Sequence, residues 1–205
     1  MSAATLLDMD RIRYTLAVLL VATIPPAVIW WYLVHPFVGF WRRLGPRWTL
    51  AIVGVSMVSL MVALGSARRS LVGADLGTNW VLAGLGLVCF GIAAGMGLKR
   101  KRHLTTRILA GVPELDEDEP GILLTEGPYA VIRHPRYVEV LVGVLGYAMV
   151  ANHVGGYVVA LLVVPALHLV VLLEERELTD RFGAAYEAYR ARVPRYLPRR
   201  GSPPT

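Results

Sequence analysis

Three stretches of this 205-residue chain carry no charged side chain at all: Tyr14–Val34, Trp48–Gly65 and Trp80–Leu98. A hydrocarbon core about 30 Å thick takes about 20 apolar residues per helix, and each stretch runs close to that length. One such run could be a helix buried in a soluble core, but three within the first hundred residues point to a membrane. The chain is 55% hydrophobic yet carries 21 Lys and Arg, because its apolar residues are gathered in blocks. A fourth block, Val138–Leu173, is too long for one span and too short for two ordinary ones. Asn152, His153, Gly155 and Gly156 interrupt it with turn-forming residues. It reads as a helical hairpin with arms Pro135–Ala151 and Tyr157–Leu173. The expected fold is all-α and integral to the membrane, with about five transmembrane helices. Residues 1–98 supply three of them, and residues 99–205 contain the hairpin (135–173) and a cytoplasmic C-terminal helix.

Charge orients these helices. Of the Lys and Arg residues, seven lie between Lys99 and Arg136, seven between Arg176 and Arg200, and three at Arg42, Arg43 and Arg47. Short cytoplasmic loops collect such residues, and a two-helix hairpin returns the chain to the side it left. All three groups then face the cytoplasm, while the N-terminus and the Arg68–Arg69 loop face outward. Arg11 and Arg13 ahead of an apolar run imitate a signal peptide, but no small-residue cleavage site follows, so the first helix is expected to be retained. The protein is expected in the inner or plasma membrane. The same asymmetry, with attraction to anionic headgroups, accounts for a pI near 9.8 without nucleic acid as a partner. "KRKRH" (Lys99–His103) reads as an anchor at the membrane surface, and "ELDEDEP" (Glu114–Pro120) as a solvated loop.

Within the spans, Gly84, Gly91 and Gly95 share one helix face, and Gly91-x-x-x-Gly95 is expected to admit a neighbouring helix closely. Pro25-Pro26 is expected to kink or break the first helix. Cys89 is the one cysteine and lies mid-span, so neither an intrachain disulfide nor a thiolate metal site is open to it. The first three spans hold no charge that could serve an ion pathway, which argues against a channel or pump. Chemistry is left to the cytoplasmic end.

Two polar pieces flank the hairpin there. In "GILLTEGPYAVIRHPRY" (Gly121–Tyr137), Arg133, His134 and Pro135 stand at the mouth of the apolar block. Proline suits the first position of a helix, where its missing N–H costs nothing, and the following amides make an anion-binding corner beside Arg133 and His134. In "EERELTDRFGAAYEAYRARVPRYLP" (Glu174–Pro198), Glu175, Leu178, Phe182, Tyr186 and Tyr189 are spaced as one helical stripe. Glu174 and Glu175 close an apolar span, and two carboxylates there invite cationic partners such as Arg133.

The run "EGPYAVIRHPRY", a hairpin, "EE", "FGAAYEAY" and "VPRYLP", in that order across Leu124–Pro198, resembles the isoprenylcysteine carboxyl methyltransferase and phospholipid methyltransferase superfamily. The resemblance implies a membrane enzyme that binds S-adenosylmethionine on the cytoplasmic side, in a pocket made by the RHP turn, the hairpin and the Glu-Glu/Tyr helix. Residues 99–205 would then be the cofactor-binding catalytic region. A lipophilic or lipidated acceptor bearing a carboxylate, amine or thiol would enter from the bilayer. By that resemblance Arg133 and His134 suit the cofactor's carboxylate, Glu175 its ammonium, and Tyr137, Tyr186 or Tyr189 its adenine or sulfonium. Leu124, Tyr129 and Pro135 complete the pocket. Glu174, with His134 and Arg133, is the candidate catalytic group, and no metal is required because the methyl is already activated.

Two positions depart from relatives. Glu139 replaces a usual glycine, and Val170 and Val171 stand where many relatives carry an arginine, with His168 the nearest polar group. Glu139 also gives the turn some likeness to NADPH-dependent membrane isoprenoid or sterol reductases. That activity, or a non-catalytic membrane scaffold, is the alternative reading.

Overall fold

The computed structural model describes residues 3–101 and 122–199; Arg102 and His103 of the basic anchor, and the acidic loop Glu114–Pro120, lie outside them. Among the described residues the chain is helical, with one isolated bridge between Asp75 and His153. The helices are α1 (Ala3–Val34), α2 (Val38–Leu44), α3 (Pro46–Ser66), α4 (Arg68–Leu71), α5 (Trp80–Lys101), α6 (Pro128–Val131), α7 (Pro135–Ala151), α8 (Val154–Phe182) and α9 (Ala184–Arg192). Helices α1, α3, α5 and α8 are long and apolar enough to cross a membrane. Helix α7 has 17 residues, about 26 Å at the helical rise, and falls about one turn short of a full span. The protein is an all-α integral membrane protein. Its outer faces carry exposed apolar side chains such as Val55, Val62, Val81, Val88 and Leu161, as a lipid solvent requires.

The hairpin forms the middle of the bundle. Its first arm is α7, as the sequence predicts, but the second arm runs on to Phe182 and carries Glu174 and Glu175 within the helix. Helix α1 packs on α3, α7 and α8, while α5 lies against α7. Ala17, Leu20 and Val21 of α1 join Ala148 and Ala151 in one buried cluster. Val28 joins Tyr137, Val163, Leu167, Val170 and Val171 in another. Helix α1 continues through Pro25 and Pro26 rather than breaking. Neighbouring helices sustain such prolines within a membrane, where packing replaces the lost backbone bond.

At the hairpin apex Asn152 takes a left-handed conformation, φ 49° and ψ 51°, a region that asparagine tolerates better than most residues. The loop between α4 and α5 is stitched to this apex. Leu76 N donates to Asn152 O, Val154 N to Ala74 O and Gly155 N to Val72 O, at 2.8 to 3.1 Å. Arg13, only 2% exposed, is paired with Asp75 and donates to Asp10 and Thr78 at 2.8 and 3.2 Å. The start of α1, the α4–α5 loop and the hairpin apex therefore share one end of the bundle.

Glycines bring α5 and α7 together, though not those expected. A Cβ on Gly86 would lie 2.7 Å from the Gly146 carbonyl, and one on Gly146 2.8 Å from Cys89 Cβ. Gly84, Gly91 and Gly95 have nothing within 4 Å of a Cβ. The close approach is thus on another face of α5. Nearer the other end Glu139 accepts from Arg100 Nε at 2.8 Å and Nη2 at 3.1 Å, and a Cβ on Gly97 would meet the same carboxylate at 2.8 Å. Arg100 is 7% exposed, so this member of the basic anchor is an interhelical clamp. Glu139, the departure from relatives, is its counter-ion. Gly86→Ala should cost about 1–3 kcal/mol by overpacking, whereas Gly91→Ala leaves the thermal transition in detergent unchanged. Equal loss in the two variants would contradict this packing.

Candidate active site

The polar groups at the other end of the bundle converge on Glu175, which is 5% exposed. Arg133 donates from Nε and Nη2 to Glu175 Oε1 at 3.2 and 2.9 Å. Arg195 donates from Nε to Oε1 at 3.0 Å and from Nη2 to Oε2 at 2.6 Å. His134 Nε2 lies 3.1 Å from Oε1, and its Nδ1 is 3.6 Å from Glu174 Oε2. Both carboxylates therefore flank one buried imidazole. Three cationic groups face two carboxylates, which leaves one unit of positive charge when His134 is protonated.

Local structure sets this geometry. Pro135 opens α7, with His134 as the residue before it at φ −123°, outside the helix. That extended turn frees the backbone of Arg133 and His134 to pair with the C-terminal segment. Arg133 N donates to Pro194 O at 2.8 Å and His134 N to Arg195 O at 3.2 Å. Arg133 Nη1 also donates to the carbonyls of Arg190 and Val193 at 2.9 and 2.6 Å. These oxygens end α9, where carbonyls lack helical partners. The expected continuous stripe from Glu175 to Tyr189 is instead split. Gly183, at φ 50° and ψ −125°, breaks the chain between α8 and α9 in a conformation open essentially to glycine. Leu178, Phe182, Tyr186, Tyr189 and Val193 still meet in one cluster with Leu123.

The candidate tyrosines fall into two groups. Tyr137 is buried among α1 and α8 residues, with ring centroids 6.0 Å from Trp31 and 5.7 Å from His134. Tyr186 and Tyr189 have ring centroids 6.1 Å apart, and the Tyr189 hydroxyl donates to Tyr129 O at 2.7 Å. The Tyr186 side chain is fully buried, and its hydroxyl has no hydrogen-bond partner among the described residues. Burial foremost, then the charge of Glu175, pushes its phenol up to about 12. Burial and the charge of Glu174 do the same for Tyr129, also to about 12. Leu124 is half-buried, and it is its neighbour Leu123 that enters the tyrosine cluster.

A family profile described as phospholipid methyltransferase matches residues 80–185, more than half of the chain. The chain belongs to the phospholipid methyltransferase family. The protein-S-isoprenylcysteine O-methyltransferase of Schizosaccharomyces pombe is 36% identical over 78 residues, which are 38% of this chain and 33% of that protein. The chain thus matches about a third of the length of this curated relative. No solved structure matches it significantly.

In this family member the structure gathers Arg133, His134, Pro135, Glu174 and Glu175 as the sequence suggests. It surrounds Glu175 with Arg133, Arg195 and His134 together. Arg195, which sequence reasoning passed over, is a full member of the site; its place between Pro194 and Leu197-Pro198 in "VPRYLP" was the available signal. Tyr196 was also missed. Its hydroxyl is 2.7 Å from His168 Nδ1, and its ring centroid 6.3 Å from that of His134.

Breaking a buried ion pair typically costs about 3–5 kcal/mol, because the remaining charges stay buried. Glu175→Gln should therefore lower the stability of the detergent-solubilised protein by that order, and a wild-type melt would contradict the cluster. A pH dependence follows from His134. Its burial favours the neutral ring, but the hydrogen bonds and charges of Glu174 and Glu175 outweigh this and raise its pKa. A raised folded pKa stabilises the protein fully below the unfolded value of about 6.5 and loses that contribution as pH climbs through the folded value. As pH rises above the ordinary imidazole value of about 6.5, the wild type should lose stability that His134→Gln does not lose. Parallel profiles would show His134 uninvolved.

Proposed function

We propose that this protein is an S-adenosylmethionine-dependent methyltransferase acting on a lipophilic, membrane-embedded acceptor, with its active site facing the cytoplasm. Membership of the phospholipid methyltransferase family supports methyl transfer, and the S. pombe relative is named for methylation of an isoprenylcysteine. The observation that carries the site assignment is the buried Tyr186 hydroxyl without a hydrogen-bond partner among the described residues, beside an ion cluster with one positive charge in excess when His134 is protonated. An orphan buried hydroxyl costs about 1–3 kcal/mol, and a polar ligand would satisfy it. The excess cation suits a ligand carboxylate through charge-assisted bonds.

Residues 99–205 would hold the cofactor, with residues 1–98 supplying α1 and the route from the bilayer. Arg195, the most exposed of the three cations at 34% for the side chain, would hold the carboxylate, with His134, Arg133 and Glu175 fixing its geometry. Tyr186, with Tyr189 and Tyr129 beside it, would line the side reached by the adenine or sulfonium. Pro135 and Leu124 would shape the turn around it. The chemistry supplied by bound S-adenosylmethionine is a methyl group already activated on a sulfonium. The chain's work is then to orient the acceptor, worth about 7–11 kcal/mol of barrier for well-placed reactants. Glu174, more exposed than Glu175 at 28% against 6% for the side chain, would orient the acceptor or take a proton from it. The reductase-like residue Glu139 is paired with Arg100, a packing role that needs no nicotinamide cofactor to account for it.

Titration of the purified protein with S-adenosylmethionine should give saturable binding, and NADPH should give none. Tyr186→Phe should weaken that binding about tenfold, about 1.4 kcal/mol, while leaving the melting temperature of the unliganded protein unchanged or raised. Glu174→Gln should lower turnover with binding retained. Saturable binding of NADPH alone, or wild-type affinity in Tyr186→Phe, would overturn the assignment.

A further inference from the structure

A cleft of about 600 Å³ lies between α3 and the hairpin, floored by α1. Thr23 and Trp31 of α1, Leu50 and Met61 of α3, and Arg136 and Leu167 of the hairpin mark its extent. Its volume lies within the about 300–1,000 Å³ of typical ligand sites. Its walls are apolar, and α3 is held mainly through α1 and its short neighbours α2 and α4. From Leu50 to Met61 the cleft follows α3 for about 17 Å at the helical rise, close to the depth of one leaflet of a core about 30 Å thick. Trp31, Leu50 and Arg136 stand at the end near the ion cluster, and Thr23 and Met61 at the deep end.

Among the described residues of the lining the charged one is Arg136, at the shallow end. Arg136 Cζ lies 4.3 Å from the centroid of the Trp31 ring. A guanidinium stacked on an aromatic face recognises anions through its in-plane N–H edge. Tyr137, the next residue, lines the same cleft and has its ring centroid 5.7 Å from that of His134. The cleft and the Glu174–Glu175 centre are therefore joined through one side chain.

We propose that this cleft holds the hydrocarbon chain of the acceptor, and that Arg136, seated on Trp31, selects an amphiphile with an anionic group at its head. The proposal rests on the methyltransferase reading and adds the acceptor's site and charge class. Methionines at Met57 and Met61 suit a chain that must slide in and adapt, since the thioether is flexible and polarisable. The deep end at Thr23 and Met61 sets the chain length that fits.

The test uses a fatty acid with a photoreactive diazirine at the far end of its chain, added to the full-length protein in nanodiscs of zwitterionic phospholipid. After irradiation, labelled residues are mapped by mass spectrometry. Label should fall on Met57, Met61 and the Thr23 region. Unlabelled fatty acid should compete about tenfold better than a fatty amine of the same chain. Arg136→Gln should bring the two competitors to parity with the label still in place, and Met57→Trp should remove it. Label scattered over the outer faces of α3 and α5, or equal competition by the amine in the wild type, would overturn the proposal. So would competition by an anionic phospholipid as effective as the fatty acid, which would make the cleft a structural-lipid site. S-adenosylmethionine binding is measured on the same samples, and photolabelling does not require it, so failure of the cleft and failure of the cofactor assignment are told apart.

Discussion

A carboxylate 5% exposed near the end of an apolar membrane helix is sustainable only because three cationic side chains reach it. Removing one such charge from water costs several kcal/mol, and mutual attraction offsets this only with good geometry and satisfied hydrogen bonds. Glu175 has both. Arg133 and His134 come from the turn before α7, and Arg195 from the segment after α9, so one side chain on α8 ties together three separated pieces of chain. The register of α8 against the start of α7 follows from that, as does the path of the C-terminal segment across the mouth of the hairpin. Tyr186 and Tyr189 are carried to the site by the same path, because α9 is anchored through the Arg133 bonds to its last carbonyls.

The opposite end of the bundle is fastened by a similar device. Arg13 reaches across to Asp75 on the loop that is stitched to Asn152 and Val154 at the hairpin apex. Between the two fastenings, α5 and α7 meet glycine to glycine and are locked again by Arg100 and Glu139. The hairpin is therefore clamped at both ends and along one side. Helix α3 stands outside this framework, resting on α1, and the apolar cleft opens beside it. Rigid chemistry on one side and a looser, lipid-facing wall on the other suit an enzyme that must fix a cofactor yet admit an acceptor from the bilayer.

Much of this was legible in the sequence. Uncharged runs gave the long helices, and Pro135 and the Asn152-His153 turn bounded α7 correctly, because proline at a helix start and asparagine in a left-handed turn leave local signatures. The convergence of the RHP turn with the Glu-Glu pair was also readable, since buried carboxylates need cations. Pairings that depend on how two helices lie against each other were not. Glycine marks where helices can approach, but Gly86 and Gly97 serve where Gly84, Gly91 and Gly95 do not, and only the rotation of α5 decides between them. Glu139 looked anomalous until α5 placed Arg100 beside it. Gly183 hid the split between α8 and α9, because helical spacing continues through it in the sequence while the backbone does not.

Amide hydrogen exchange of the nanodisc-embedded protein, with and without S-adenosylmethionine, tests the central claim most directly. The cluster around Glu175 and the Tyr186 hydroxyl is the candidate cofactor site, so ligand should slow exchange in the segments 128–137 and 184–196. The loop between α4 and α5, at the far end of the bundle, should exchange unchanged. Protection confined to other segments, or none at a ligand concentration that saturates binding, would contradict the account.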